Sequence, residues 1–137
     1  MKNMYRSKYI TVDYFQEDNL IETFWLPETE KMTEDEYKQE MLNWLDACLK
    51  CKPTKNIPNI SDMRFVVSPE MQEWTNENIF ISLLDMGLKW VAIVFDNPDF
   101  IAQLSLEQVM EEPKGKEFVT RWFVKKESAI DWLKSVK

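Results

Sequence analysis

The chain contains no histidine, and this bounds its chemistry before anything else does. Histidine-based triads, general bases and metal clusters are excluded. Carboxylates remain for proton transfer, yet the 24 Asp and Glu residues fall mostly at helix starts and on polar helix faces, and no pair stands out as acid and base. Cys48 and Cys51 form a C-x-x-C spacing, but without other Cys or His they cannot complete a zinc site unless carboxylates or a second subunit help. They also fall at the C-terminal end of a helical pattern, where the macrodipole disfavours a thiolate; redox pairs of this spacing sit at helix N-termini. The expectation is a buried Cys48, an incidental Cys51, no metal and no cofactor. Gly87 and Gly115 are the only glycines, so no glycine-rich loop can cradle a phosphate.

What remains is a polar set, Asp62, Arg64, Ser68, Asp96 and Asn97, expected near the carboxyl ends of two parallel strands, where open α/β sheets place ligand crevices. It is the candidate ligand- or partner-binding site. The plainer roles are helix caps for Ser68 and Asn97, and turn or ion-pair roles for Asp62 and Arg64. Enzymatic use of Asp62 and Asp96 would need the two carboxylates to converge in one cleft. The six tryptophans, Trp25, Trp44, Trp74, Trp90, Trp122 and Trp132, fall on different elements. Most are expected in the core, with a minority lining an apolar pocket between the second and third long helices or forming an association patch.

A chain of 137 residues suits one domain with a continuous core. A formal charge of −7 argues against general binding to nucleic acid or anionic membranes, both of which need a cationic surface. Residues 1–6 lead into a strand pattern without an apolar leader core, and no apolar run reaches membrane-span length, so the expected compartment is the cytoplasm.

The elements that would position these residues centre on Asn56 to Phe95, which reads as strand, loop, capped helix, glycine stop and strand. Trp90 to Phe95 is apolar on both alternation parities, the pattern of a strand covered on both faces. Before it, Lys8 to Phe15 and Leu20 to Leu26 form an antiparallel hairpin. Thr33-Glu34-Asp35-Glu36 is a capping box opening a helix to Lys52, with Tyr37, Met41, Trp44, Leu45, Cys48 and Leu49 on its apolar face. A strand is expected over Ile57 to Met63, prolonged by Arg64 to Val67. The second helix begins at Ser68-Pro69, buries Met71, Trp74, Ile81, Leu84 and Leu88, has a candidate kink at Asn76 to Asn78, and stops at Gly87. A third helix follows an Asn97 cap with Pro98 at its first position, and Ser105 to Gln108 is a second capping box that would break it. Phe118 to Val124 is the last strand and Glu127 to Val136 the last helix. The order ββαβαβαβα makes a single α/β domain with a mostly parallel sheet and one antiparallel hairpin strand.

This order resembles the STAS-like fold of anti-sigma-factor antagonists, and more closely the compact SpoIIAA-like proteins of bacteria. The pieces that carry it are Ser68 to Trp74 opening the second helix, Leu84 to Trp90 leading into the buried strand, and Phe100 to Gln108 in the third helix. The resemblance implies a non-enzymatic binding or regulatory module acting through a protein partner or a homodimer. It also implies Ser68 as the phosphorylated position of such switches, although Val67-Ser68-Pro69-Glu70 lacks the Asp and Gly that flank the family's serine. The alternative is a carrier or sensor of a small apolar or lipid-like ligand, suggested by the aromatic and Met-rich second and third helices and by the fold's resemblance to lipid-binding CRAL-TRIO domains.

Overall fold

A computed structural model describes residues 1–136. Its six strands follow chain order across one sheet: β1 (Lys2–Arg6), β2 (Ile10–Phe15), β3 (Leu20–Trp25), β4 (Lys55–Asn59), β5 (Trp90–Val94) and β6 (Val119–Phe123). The first three run antiparallel, and β3 to β6 are mutually parallel. The α/β class, the mostly parallel sheet and the hairpin are as expected. The added element is β1, whose Lys2 and Arg6 ends and bulge between Asn3 and Tyr5 give it no clean alternation. Charge and a bulge are how exposed edge strands avoid further pairing.

β1 is held from the helix side. Glu40, buried on α1 (Glu34–Cys51), accepts hydrogen bonds from Tyr5 Oη at 2.7 Å and Ser7 Oγ at 2.5 Å. The capping box that opens α1 is present in both halves: Glu36 N–H donates to Thr33 Oγ1 at 3.1 Å and Thr33 N–H to Glu36 Oε1 at 3.0 Å. Lys52 ends the helix in left-handed backbone before Pro53. Leu49, expected on the buried face, is instead exposed, because the last turn of α1 extends past the sheet-facing stripe that ends at Cys48.

β4 is displaced from its expected place. It pairs over Lys55–Asn59, and residues 60–68 are a connecting segment in place of a continued strand. Pro58 therefore stands inside a central strand without a donor, and the β4–β5 register is recorded at Lys55, Asn56 and Asn59 but not between. Three helical pieces follow without a break: α2 (Pro69–Thr75), a π-helical turn (Asn76–Phe80) and α3 (Ile81–Met86). Each π turn carries one residue more than an α turn, so the phase slips. Ile81, in phase with Trp74 in a regular helix, is turned to solvent, while Ile79, Phe80 and Leu83 are turned inward beneath Met71 and Thr75. The expected kink is thus a change of pitch, and Asn78 Nδ2 donates to Trp74 O at 2.9 Å beside it. Gly87, at φ 110°, ends α3, and Leu88 N–H returns to Leu83 O at 3.0 Å.

In α4 (Phe100–Met110) the cap is Asp99, whose Oδ1 accepts Ala102 N–H at 2.9 Å; Asn97, expected in that role, lies in a left-handed turn two residues earlier. Ser105 does not break the helix. Its Oγ donates to Ala102 O at 2.7 Å and accepts Val67 N–H at 3.0 Å, which pins the connecting segment to α4.

Each crossover from β3 to β6 advances one strand in the same direction. With a constant hand of crossover this places every intervening helix on one face. Accordingly α1 packs on α2 and α3, and α2 on α4, over the inward residues Ile21, Asn56, Val91 and Ile93. The other face is covered by α5 (Lys126–Ser135), which packs on β5 and β6 and seals Leu20, Ile57, Ala92 and Val94 with Ala129 and Leu133. This double cover accounts for the apolar run in β5.

Candidate functional site

The helix-covered face holds a cavity of about 80 Å³ between the sheet and all the helices of that layer. Its floor is Thr23 and Trp25 of β3, Asn56 and Pro58 of β4, and Val91 and Ile93 of β5. Its roof comes from Tyr37, Met41 and Trp44 of α1, Thr75 and Phe80 and Leu83 of the second helix, and Leu106, Val109 and Met110 of α4. No charged side chain lines it. The expected apolar pocket between the second and third long helices thus extends down to the sheet, and Trp25 and Trp44 are the tryptophans in its wall.

Two polar groups interrupt the apolar lining. Trp44 Nε1 donates to Thr23 Oγ1 at 2.8 Å, and Thr23 Oγ1 donates to Asn56 Oδ1 at a longer 3.4 Å. On the other side Thr75 Oγ1 donates to Met71 O at 2.8 Å. Thr75 has a single hydroxyl proton, so Tyr37 Oη must be the donor in their 2.7 Å contact. Tyr37 is further held by stacking on Phe65, with ring centroids 5.0 Å apart, and burial pushes its phenol up to about 12. It is a fixed neutral donor and takes no part in proton exchange near neutrality.

The five residues singled out from the sequence lie elsewhere. They sit on the loops at the carboxyl ends of β4 and β5 and at the start of α2, and none lines the cavity. Asp62, Arg64, Asp96 and Asn97 are exposed. Ser61 brings the two loops together, since its Oγ accepts Asp96 N–H at 2.9 Å, and Arg64 N–H donates to Thr29 Oγ1 at 2.8 Å. Ser68 caps α2 by accepting Met71 N–H at 3.2 Å and donates to Glu34 Oε2 at 2.6 Å. A phosphate on that oxygen would face the Glu34 carboxylate. Strand order also bears on this edge: a crevice opens where the winding of a parallel sheet reverses, and here the order runs from β3 to β6 without reversal.

Cys48 is fully buried, and burial pushes its thiol far up; Cys51 is half-buried, with Sγ donating to Ala47 O at 3.3 Å. Among the described residues no group of three Cys, Asp or Glu is placed to hold a metal ion. No helix among them is long and apolar enough to cross a membrane. Trp25 and Trp44 are buried, whereas Trp74, Trp90, Trp122 and Trp132 are half-buried.

Sequence reasoning passed over Thr23 and Asn56. The available signal was polarity on a buried parity: Thr23 lies between Ile21 and Trp25 on the inward side of β3. Asn56 was hidden by the placement of the start of its strand two residues too late, at Ile57 instead of Lys55. Comparisons with protein-family models, with curated proteins and with solved structures returned no match to this chain.

Proposed function

We propose that this chain is a non-catalytic binding module that takes a small apolar ligand into the cavity between its sheet and its helix layer. The observation that carries this reading is the lining itself, apolar and uncharged, reached by every helix of one face and bounded in part by a π-helical turn. Such turns recur at functional sites because they are less regular and less tightly held than α-helix. At about 80 Å³ the cavity is smaller than the roughly 150 Å³ cavity that admits benzene in another protein, so the ligand is compact or enters as the α2–α3 wall shifts.

The test is native mass spectrometry on protein extracted gently from its producing cells. A co-purified small apolar molecule, lost on substituting Leu83 by Trp to fill the space, is the expected result. Protein that is empty and that binds no small apolar probe at millimolar concentration would remove the reading.

The second reading is a STAS-like, SpoIIAA-like regulatory module of the bacterial cytoplasm that works through a protein partner or as a homodimer. It is favoured by Phe100 and Ile101, 66% and 55% exposed at the start of α4, with Leu104 one turn on. A pull-down without a partner, together with a monodisperse monomer at high concentration, would count against it.

A further inference from the structure

We infer that β6 is a self-pairing edge: two copies of this chain join antiparallel, β6 to β6, about a twofold axis that passes between their Thr120 residues. The cavity and the exposed start of α4 play no part in it, and the homodimer of the second reading would use this edge. Among the described residues two buried side-chain oxygens have no hydrogen-bond partner, Glu22 Oε2 and Thr120 Oγ1. Glu22 has Lys126 Nζ at 2.7 Å, which leaves Thr120 to be explained. It lies on the last strand of the sheet and borders an open groove with Trp122, Met110 and Lys116. A buried hydroxyl without a partner is unfavourable, and a polar group brought to that edge relieves it.

The backbone of that edge is open as well. Val119 N–H donates to Lys89 O at 2.8 Å and Phe123 O accepts Phe95 N–H at 2.9 Å, so Val119, Arg121 and Phe123 are the residues of β6 that bond toward β5. Alternation turns the N–H and C=O of Thr120 and Trp122 the other way, where the sheet ends. The opposite edge is guarded, since β1 carries Lys2, Arg6 and a bulge. β6 has neither device. Its register is unbroken from Val119 to Phe123, Val119 is 39% exposed, and Val124 just beyond it is 53% exposed.

Register decides that the occupant is a second copy. A twofold pair centred on Arg121 would set two guanidinium groups against each other, and like charges directly opposite are destabilising. Centred on Trp122, it would set Thr120 against Val124 and leave the hydroxyl unpaired. Centred on Thr120, it sets the two hydroxyls across from each other, one donating and the other accepting after a turn about χ1. The same register places Trp122 opposite Phe118, an aromatic pair, and Arg121 opposite the exposed Val119. At the groove rim each copy brings Glu107 and Glu111 together with Lys116, so opposite charges stand on both sides of the axis. The strand is its own complement.

Sedimentation velocity over a range of concentrations tests this on wild type, on Val119→Lys, on Val119→Lys combined with Arg121→Glu, and on Thr120→Pro. The proline removes an outward N–H and the hydroxyl but no bond to β5. Wild type is expected to form a concentration-dependent dimer. Val119→Lys sets a cation against Arg121 of the other copy, twice by symmetry, and is expected to weaken the dimer about tenfold; adding Arg121→Glu is expected to restore it to within about threefold. Thr120→Pro is expected to stay monomeric, and in wild type the Thr120 and Trp122 amides are expected to exchange more slowly as concentration rises. Wild type that remains monomeric at millimolar concentration would overturn the self-pairing edge and the homodimer with it, leaving the cavity reading untouched. A dimer that Val119→Lys and Thr120→Pro both leave intact, or that Arg121→Glu fails to restore, places the interface elsewhere and overturns the β6 pairing alone. Should the variants fail to fold, amide exchange in wild type decides by itself, because exchange at Thr120 and Trp122 that ignores concentration means an unpaired edge.

Discussion

Glu22 shows what burial does to one residue of this protein. It lies on the α5 side of β3, 2% exposed, with Lys126 Nζ 2.7 Å from its Oε2. That approach balances charge without hydrogen-bond geometry. Burial raises the carboxyl above its ordinary value of 4.5 more than Lys126 lowers it. A carboxyl with a folded-state pKa above its unfolded one contributes stability in full below the unfolded value, and that contribution is lost as pH rises through the folded value. Glu22→Gln removes this dependence. Its melting temperature is expected to match wild type near pH 4 and to exceed it by a growing margin as pH rises toward neutrality, read from thermal denaturation across pH. A margin that does not change with pH would mean that folding does not raise the carboxyl's pKa.

At the scale of elements, the ends of α1 and the stop at Gly87 were legible, and the π turn and the start of α4 were not. The α1 capping box follows from four consecutive residues, because Thr33 and Glu36 satisfy each other's backbone donors without help from the rest of the fold. Thr33→Ala is therefore expected to lower stability by about 1 kcal/mol in urea denaturation. The π turn had no comparable signature. Asn76, Glu77 and Asn78 marked an irregularity, but its form depends on Phe80 and Leu83 having to reach the same core as Met71, a demand made by the sheet. The Asn97 assignment failed for a related reason. Asn, Pro and Asp all favour this junction, and the backbone chose Asp99 by turning Asn97 left-handed to aim α4 along its crossover.

For the whole molecule, the unequal cover of the two sheet faces sets where substitution is tolerated. Leu49 lies 46% exposed on α1, in the thicker layer, and Leu133 is 2% exposed in α5, which alone seals the other face. Leu49→Asp is expected to change stability by no more than about 0.5 kcal/mol. Leu133→Asp buries a carboxylate without a partner and is expected to cost more than about 3 kcal/mol, with dye binding to the uncovered sheet face. Chemical denaturation of the two variants side by side checks the contrast.

The sequence by itself determined the α/β class, the hairpin, both capped ends of α1, the doubly covered β5 and the stop at Gly87. Each follows from residues adjacent in the chain or from a period of two or about 3.6, and local sterics and hydrogen bonding suffice to read them. Only the tertiary structure decided where the cavity lies. Thr23, Trp44 and Asn56 meet because β3, α1 and β4 are successive turns of one winding, and their proximity is set by strand register and helix packing across distant positions. The same winding left Asp62, Arg64, Asp96 and Asn97 on an exposed edge and placed Thr23 and Asn56 in the interior, since the direction of each crossover decides which polar residues water can reach.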